Sequence, residues 1–223
     1  MPERCSKGAA ATLRITEVFL SLQGEARSSG YPTVFVRLTG CPLRCRYCDT
    51  AYAFHGGELR ALDDLLAQVD DYGVPHVCVT GGEPLAQPNV LPLLTALCDR
   101  GLTVSLETSG AMDVSAVDSR VSRVLDLKTP DSGELERNLW ANLEHCGVHD
   151  QVKFVICSRG DYDWARLTID RYRLQVRFGD VWLSPSTGEL APRLLADWMV
   201  ADRVPARLQV QLHKQLWGDE AGR

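Results

Sequence analysis

The sequence predicts one α/β domain in which parallel βα units curl into an incomplete barrel. Short apolar segments rich in β-branched residues alternate with longer amphipathic segments, as parallel strands alternate with helices. The repeating part contains about six such strands, fewer than the eight of a closed barrel. Polar residues follow the strand ends, where folds of this class bind ligands. Because no low-complexity linker divides the chain, we expect a tail over residues 1–12 and one core domain over residues 13–223.

Two strands and a helix are predicted before the repeating part. Residues 13–22 alternate loosely between apolar and polar, and residues 33–38 form a β-branched run, so the two segments are expected to pair as a hairpin. A loop with three cysteines follows the second strand. Apolar residues recur at helical spacing over residues 59–70 and predict an amphipathic helix.

The repeating part begins after residue 75. Its predicted strands cover residues 76–80, 103–107, 123–128, 151–156, 181–183 and 208–212. The predicted helices between them cover residues 90–100, 134–146, 162–173 and 191–201. The polar residues near the strand ends are Thr80, Glu83, Glu107, Ser109, Asp126, Lys128 and Ser184. Parallel strands end at one edge of a sheet, so we expect these side chains to surround a common site.

Composition narrows the classes of function. The chain has 223 residues, of which 45% are hydrophobic and 24% charged, and its formal net charge is −5. This balance disfavours a general binder of nucleic acids or membrane surfaces, which needs a basic face. No apolar run is long enough to span a bilayer, and the first residues lack the apolar segment of a secretory signal. Five of the eight cysteines are scattered singly, which is typical of buried thiols in a reducing compartment. We therefore expect a cytoplasmic protein without nucleic-acid or membrane partners.

The other three cysteines form the most informative motif. Cys41, Cys45 and Cys48 lie four and three residues apart, directly after a predicted strand. Three thiolates suit an iron–sulfur cluster with one iron free of protein ligands, whereas disulfides need an even number of cysteines. A zinc site is the alternative. It needs a fourth ligand or an open catalytic position, and His55 is the nearest candidate.

With Tyr47 before its last cysteine, this loop resembles the Cys-x3-Cys-x-aromatic-Cys signature of the radical S-adenosylmethionine superfamily. The resemblance implies a [4Fe-4S] cluster held by Cys41, Cys45 and Cys48, with S-adenosyl-L-methionine on the fourth iron. It implies that the reduced cluster cleaves this cofactor to a 5′-deoxyadenosyl radical, which abstracts hydrogen from the substrate. It also implies a partial (βα)6 TIM-like barrel as a single domain.

The segment Gly81-Gly82-Glu83-Pro84 at the end of a predicted strand is similar to the Gly-Gly-Glu motif of the same superfamily. In that motif the glycines allow a close approach to backbone, and the glutamate is a charge partner for the methionyl amino group. Standing alone, such a segment is more often a routine turn.

A narrower resemblance is carried by segments on both sides of the cysteine loop. Leu-Gln-Gly-Glu at residues 22–25, the strand at residues 33–38 and Cys-Asp-Thr at residues 48–50 resemble the 7-carboxy-7-deazaguanine synthase family. The resemblance extends over residues 15–213. These lyases convert 6-carboxy-5,6,7,8-tetrahydropterin to 7-carboxy-7-deazaguanine and ammonia by a radical ring contraction, regenerate S-adenosylmethionine and use Mg²⁺. The product leads to queuosine, a tRNA modification, and to other deazapurines.

The family resemblance assigns substrate and magnesium roles by position. The implied substrate residues are Leu22, Gln23, Gly24, Arg37 and Thr80, and the implied Mg²⁺ ligand is Thr50. A side-chain amide offers a donor and an acceptor to a pterin edge, and a guanidinium can hold a carboxylate through two hydrogen bonds. For each of these residues there is also a structural explanation that involves no ligand. Gln23 could be a surface turn residue, and Thr50 could cap a helix. Arg37 could form an ion pair with Glu25 or Asp49, and Thr80 could be a plain strand-end residue.

A second set of positions matches those that the family uses for S-adenosylmethionine. They are Gly82, Glu83, Glu107, Ser109, Asp126, Leu127, Lys128, Ser184, Pro185, Ser186 and Thr187. Glu107 and Ser109 are expected to face the ribose hydroxyls, with strand-end solvation as their alternative. Asp-Leu-Lys stands where some members have Ser-Pro-Lys, and Ser-Pro-Ser-Thr stands where Gln-Pro is common. The tail after Lys214 is also longer than in members whose last residues close over the substrate.

The family resemblance further implies a homodimer and a flavodoxin-like electron donor. Two rival functions stay open. A glycyl-radical activating enzyme shares the cysteine loop but acts on a protein, so it should lack the segments at residues 22–25 and 48–50. A non-catalytic iron–sulfur electron carrier would need neither the Gly-Gly-Glu strand end nor a domain of this length.

Overall fold

The computed structural model describes residues 11–218, 220 and 222. Its strands are β1 (Thr12–Leu22), β2 (Pro32–Leu38), β3 (Glu58–Ala61), β4 (His76–Gly81), β5 (Thr103–Thr108), β6 (Ser122–Asp126), β7 (Gln151–Ile156), β8 (Asp180–Pro185) and β9 (Arg207–Leu208). They form one nine-stranded sheet in the order β3-β1-β2-β4-β5-β6-β7-β8-β9. β1 is antiparallel to both of its neighbours, and the strands from β2 through β4 to β9 pair in parallel.

This topology confirms the predicted incomplete barrel. β2 and the six strands of the repeating part are all parallel, as the alternation of strands and helices predicts. The predicted hairpin is also present, since β1 pairs with β2. Among the described residues β3 and β9 pair with only one neighbour each, so the sheet is open.

Helices cover one face of the sheet and leave the other face for a cavity. They are α1 (Leu62–Asp71), α2 (Val90–Asp99), α3 (Arg159–Tyr172), α4 (Leu174–Arg177), α5 (Pro192–Asp202) and α6 (Leu212–Trp217). Successive strand residues point to opposite faces. On β2, Val34 and Val36 are buried in the apolar core that includes residues of α1 and α2, whereas Phe35 and Arg37 line the cavity. On β7, the same alternation places Lys153 on the cavity side.

The helix predicted over residues 59–70 begins later than expected. Glu58–Ala61 forms β3 instead, which pairs with β1. α1 starts at Leu62, with Asp63 and Asp64 in its first turn. Carboxylates at that position are stabilised by the positive end of the helix dipole, which is consistent with a start at this point.

The helix predicted over residues 134–146 is wrong. The described chain makes short 3-10 turns there, of which the longest is Trp140–His145. Asn138 exchanges two hydrogen bonds of 2.8 Å with the backbone of Lys128. The Asn142 side chain donates to the Gly110 carbonyl at 3.1 Å. These amide side chains bind the segment to the strand ends and compete with helical hydrogen bonding.

The two ends of the chain also differ from expectation. The strand predicted over residues 208–212 is restricted to Arg207–Leu208, and α6 begins at Leu212. Thr12 already belongs to β1, while residues 1–10 of the predicted tail lie outside the described residues. No helix in the described ranges has the length and apolar character needed to cross a membrane.

Candidate active site

A cavity of about 290 Å³ lies at the C-terminal edge of the parallel strands. Most of the predicted site residues line it: Leu22, Gln23, Arg37, Cys41, Cys45, Cys48, Thr50, Thr80, Gly82, Glu107, Ser109, Asp126, Lys128, Ser184, Pro185, Ser186 and Thr187. Three predicted residues, Gly24, Glu83 and Leu127, are not part of its wall. The fold therefore gathers segments that are distant in sequence into one space.

The cysteine loop forms one wall of the cavity. Cys41, Cys45 and Cys48 are free thiols of intermediate exposure. Cys41 Sγ accepts a hydrogen bond from the backbone N–H of Leu43 at 3.4 Å. Burial raises the pKa of the Cys45 thiol to about 11, although the charge of Lys128 opposes this. At neutral pH this thiol therefore loses its proton only when a metal ion replaces it.

The glycine pair at the end of β4 packs directly against this loop. The backbone N–H of Glu83 donates to the Gly40 carbonyl at 2.8 Å. A Cβ atom on Gly82 would collide with the Gly40 carbonyl oxygen and come within 2.9 Å of the Cβ atom of Cys41. Only glycine at this position lets the strand end and the cysteine loop approach so closely.

The Glu83 side chain differs from its predicted position. It is completely buried, and its carboxylate accepts hydrogen bonds from the Thr108 hydroxyl and from the backbone N–H and hydroxyl of Ser109. The backbone N–H of Leu85 donates to the same carboxylate at 3.0 Å. These partners all belong to the protein, so Glu83 joins the ends of β4 and β5 from behind the cavity wall. The predicted contact of its carboxylate with the cofactor therefore stays a prediction, because the described carboxylate is turned toward protein donors.

The segment after β6 supplies a charged pair next to the cysteine loop. The Leu127 side chain packs in the apolar core, so its predicted contact with the cofactor stays a prediction for its backbone, while Asp126 and Lys128 line the cavity. Lys128 Nζ lies 3.0 Å from Asp126 Oδ2 and 5.8 Å from the ring centroid of Tyr47. Asp126 Oδ1 and the Tyr47 hydroxyl are buried without a hydrogen-bond partner in the described chain. Burial raises the pKa of Tyr47, so its hydroxyl stays protonated. Unpartnered polar atoms in a cavity wall are typical of a ligand site.

Gln23 is another cavity residue with a buried polar atom that lacks a hydrogen-bond partner in the described chain. Its side chain is only 3% exposed, which excludes the surface-turn alternative. Its Oε1 accepts from the backbone N–H of Glu25 at 3.3 Å, and its Nε2 has no hydrogen-bond partner in the described chain. The neighbouring Gly24 is covered by α6. Its carbonyl accepts from the Leu212 N–H at 3.0 Å, and a Cβ atom on Gly24 would strike the ring of His213.

Arg37 is paired, but with a residue that was not expected. Its Nε donates to Glu17, the residue opposite it on β1, at 2.7 Å. The Tyr52 hydroxyl donates to the same carboxylate oxygen at 2.8 Å. Neither Glu25 nor Asp49 forms an ion pair with Arg37. Only Nε is used in these contacts, so the terminal N–H groups of the guanidinium can serve a carboxylate in the cavity.

Thr50 keeps its hydroxyl available on the cavity side. The residue precedes a 3-10 turn at Ala51–Phe54, but its side chain makes no capping hydrogen bond, so the capping alternative is excluded. The hydroxyl donates to Asp49 Oδ1 at 2.7 Å, which leaves its oxygen lone pairs for another partner. Partial desolvation of the Asp49 carboxylate is outweighed by hydrogen bonds from Thr50 and Gln211, which lower its pKa. A hydroxyl and a nearby carboxylate are oxygen donors of the kind that Mg²⁺ prefers.

The donor set of the cysteine loop fits a cluster better than a single metal ion. Within the described residues, no three His, Cys, Asp or Glu side chains form a group that could hold one metal ion. His55, the expected fourth zinc ligand, is exposed and is not part of the cavity wall. The thiolates of a cubane cluster bind separate irons and need not converge on one point.

Comparison with known proteins agrees with this site. The family model described as the Radical SAM superfamily matches residues 35–131. A 7-carboxy-7-deazaguanine synthase of Chlorobaculum tepidum is 43% identical over 95% of this chain and 97% of its own length. A protein of the same name from Koribacter versatilis is 37% identical over 93% of this chain and 98% of its own. This chain belongs to the 7-carboxy-7-deazaguanine synthase family.

Solved structures agree with this placement. The crystal structure of QueE from Escherichia coli superposes with a TM-score of 0.74 at 25% identity, covering 91% of this chain and 95% of that one. Streptococcus suis SuiB bound to S-adenosylmethionine shares the fold, with a TM-score of 0.54 at 16% identity over 77% of this chain and 44% of that chain. The predicted membership in the radical S-adenosylmethionine superfamily is confirmed, and the family's [4Fe-4S] cluster and S-adenosylmethionine are the cofactors of this enzyme.

The C-terminal segment of this family member forms a wall that was not predicted from the sequence. Gln211, His213 and Lys214 line the cavity. The side-chain amide of Gln211 donates to Glu25 at 2.8 Å and to Asp49 at 3.2 Å. Burial lowers the pKa of His213, so the imidazole is neutral at pH 7. The segment thereby connects the substrate loop with the cysteine loop.

Lys153 is a further cavity residue that was not predicted to belong to the site. Its Nζ lies 2.7 Å from Glu25 Oε2 and 3.9 Å from Glu107 Oε2. A sequence signal exists, because a lysine stands in the apolar strand β7 at a position that faces inward by alternation. Its partner Glu25 lies 128 residues earlier, so nothing local identifies the pair.

Proposed function

We propose that this chain converts 6-carboxy-5,6,7,8-tetrahydropterin to 7-carboxy-7-deazaguanine and ammonia. One observation carries the proposal. A single cavity is lined first by a three-thiol loop and second by two polar groups, the Arg37 guanidinium and the buried Gln23 amide, whose Nε2 has no hydrogen-bond partner in the described chain. The first is suited to radical generation, and the second to a flat heterocycle that bears a carboxylate.

The substrate wall offers complementary chemistry to such a pterin. The Gln23 amide can donate through Nε2 to the pyrimidinone edge without losing any hydrogen bond to the protein. Arg37 can hold the 6-carboxylate through its terminal N–H groups while Nε stays on Glu17. Thr80 lies beside Arg37 in the parallel pairing of β2 with β4 and completes this side. Leu22 and Gly24 contribute the chain that carries Gln23.

The opposite wall holds the cofactors. The three cysteine thiolates would ligate the cluster, and with S-adenosylmethionine bound it supplies the carbon radical that abstracts hydrogen. Gly82 gives a surface without a side chain beside the loop. Asp126 Oδ1 and the Tyr47 hydroxyl offer an acceptor and a donor for polar groups of the cofactor. Glu107, Ser109, Lys128 and residues 184–187 are proposed to form the rest of its site.

A magnesium ion is proposed between the two walls. Thr50 would be its protein ligand, with the remaining positions filled by water and by oxygen atoms of the substrate. The ion would neutralise part of the negative charge that the substrate carboxylate brings into the cavity.

Several broader properties are proposed on the family resemblance. They are a cytoplasmic location, a homodimer, a flavodoxin-like reductant and a division of the chain into a tail over residues 1–12 and a core over residues 13–223. The product would serve queuosine and deazapurine biosynthesis.

An anaerobic assay tests the proposed function. The protein is reconstituted with iron and sulfide, reduced, and supplied with S-adenosylmethionine, Mg²⁺ and 6-carboxy-5,6,7,8-tetrahydropterin. We expect 7-carboxy-7-deazaguanine by mass spectrometry. A fully loaded cluster that yields only 5′-deoxyadenosine would reject the proposal and reopen the protein-activating alternative.

A further inference from the structure

Three charged side chains that line the cavity, Lys153, Glu25 and Glu107, bring one cation together with two carboxylates. Lys153 Nζ is 2.7 Å from Glu25 Oε2 and 3.9 Å from Glu107 Oε2. The side chains of Lys153, Glu25 and Glu107 are only 12%, 15% and 18% exposed. In such a poorly hydrated site, two carboxylates cannot both be neutralised by one ammonium group.

The surroundings distinguish the two carboxylates. Glu25 also accepts from the side-chain amides of Gln209 at 3.0 Å and Gln211 at 2.8 Å, so three donors hold its two oxygens. In contrast, the Glu107 carboxylate accepts no hydrogen bond from the described residues, and Lys153 Nζ is the cation that lies within 4 Å of it.

The neighbouring strand adds a second charged pair. Asp126 and Lys128 on the β6 side form an ion pair at 3.0 Å. Asp126 raises the pKa of Glu107 further, and Lys128 opposes this effect. The charged groups that act on Lys153 are Glu25 from the β1–β2 loop, Glu107 from β5, the Asp126–Lys128 pair and, from the cysteine loop, Asp49.

We propose that Lys153 is a positioning residue for the pterin: it holds Glu25 as an anion beside Gln23 and leaves Glu107 as the carboxylate that carries a proton. This rests on the proposed function, because the pterin is the ligand that the Gln23 wall is assigned to bind. The ionised Glu25 keeps one of its roughly four acceptor positions unused by the three protein donors, which suits an N–H group of the pyrimidinone edge.

The electrostatics of the group support this assignment. Burial raises the pKa of Glu107 to about 7, with Lys153 opposing and Glu25 reinforcing the shift. Burial acts on Glu25 as well, but Lys153 and the Gln211 amide outweigh it and lower the pKa of Glu25. Lys153 therefore stabilises the ionised form of Glu25 more than that of Glu107, as expected from its shorter distance to Glu25.

Substitution of Lys153 gives the first test. In the reconstituted enzyme, Lys153→Met should raise KM for 6-carboxy-5,6,7,8-tetrahydropterin by about tenfold or more, because one partner of a buried charge pair is lost. Lys153→Arg retains the cation and should return KM to within about threefold of wild type. A purely structural role would lower kcat through a smaller active fraction and leave KM unchanged, and that result would overturn the proposal. So would an arginine variant as impaired in KM as the methionine variant.

Infrared spectroscopy of the same holoenzymes, without pterin, gives a second and independent test. With ¹³C-labelled glutamate, wild type should show one buried protonated carboxyl band that disappears near neutral pH and is absent in Glu107→Gln. In Lys153→Met a further protonated carboxyl band should persist to higher pH, since Glu25 loses its cation. An unchanged spectrum would overturn the proposal even if the variant were inactive. If wild type makes no deazaguanine, the proposed function fails while this spectrum still decides the role of Lys153.

Discussion

The two walls of the cavity are built in opposite ways. The cluster wall is local, since its three thiols lie within residues 41–48 of one loop that packs on the glycine pair after β4. The substrate wall is assembled from the loop after β1, from β2 and β7, and from the C-terminal segment at residues 209–214. A change in the cluster wall should therefore remove the cofactor, whereas a change in the substrate wall should weaken pterin binding and leave the cofactor in place.

The largest effect is expected from loss of a cluster thiolate. Cys45→Ala leaves two thiolates for a cluster that needs three, so bound iron and turnover should both fall to background. Iron and sulfide content after anaerobic reconstitution measures this directly. Cys98→Ala is the matched control, because Cys98 is a buried residue of α2 that packs in the apolar core and should not affect iron content. Residual turnover by Cys45→Ala would contradict the assignment of the cluster.

Two alanine substitutions compare the walls with the same added methyl group. In Gly82→Ala the methyl meets the backbone of the cysteine loop, so iron content should fall several-fold. In Gly24→Ala it meets the His213 side chain, so iron content should stay near wild type while KM for the pterin rises about threefold or more.

Gly147→Ala is the control for both variants, because a Cβ atom there has open space. Equal loss of iron in the Gly82 and Gly24 variants would show that the two walls are not separable.

Removal of Arg37 tests the substrate wall itself. Arg37→Ala should raise KM for the pterin by about tenfold or more, since a charge-assisted pair with a carboxylate is lost, and leave iron content unchanged. Glu17→Gln removes the ion pair of Arg37 but keeps the guanidinium, so it should have a smaller effect on KM. If the two variants matched, or if KM did not change in Arg37→Ala, the arginine would be only a structural partner of Glu17.

The smallest effect concerns the pH dependence of stability. Burial raises the pKa of Glu107 from 4.5 to about 7. Below the lower value both folded and unfolded forms are protonated, and between the two values only the unfolded form ionises, so the native state loses stability as the pH rises. The full loss, of order 1–3 kcal/mol, is reached above about pH 7.

Glu107→Gln abolishes this loss. The Tm of the variant minus that of wild type should therefore be higher at pH 8 than at pH 5, measured anaerobically on the holoprotein. Glu136→Gln, at an exposed position, should show the same difference at both pH values. A Glu107→Gln difference that did not depend on pH would contradict the raised pKa.

The contrast between the contiguous cluster wall and the substrate wall built from distant segments explains how much of the site could be predicted from the sequence. The cysteine loop is contiguous, and its spacing alone indicates a cluster, while the strand ends follow from the alternation of strands and helices. Lys153 was missed because its partner Glu25 lies 128 residues earlier in the sequence, although the alternation along β7 indicates the inward orientation of the lysine. Glu83 was assigned to a cofactor by motif, but the structure uses its carboxylate to fix Ser109.

The prediction of secondary structure failed for a related reason. Residues 134–146 have helical character locally, but hydrogen bonds from Asn138 and Asn142 to strand-end backbone decide their conformation. Such tertiary contacts override local propensity and cannot be obtained from one segment. The parallel pairing of the repeating strands, in contrast, could be predicted from their alternation with helices.

The most direct test of the account is the nitrogen balance of the reaction in one anaerobic vessel. The reconstituted wild-type protein is given 6-carboxy-5,6,7,8-tetrahydropterin with S-adenosylmethionine, Mg²⁺ and reductant, and 7-carboxy-7-deazaguanine and ammonia are measured over time. The account predicts one ammonia for each deazaguanine, with formation of both lost in Cys45→Ala and shifted to higher pterin concentration in Arg37→Ala. Radical cleavage of S-adenosylmethionine with no deazaguanine and no ammonia would contradict it.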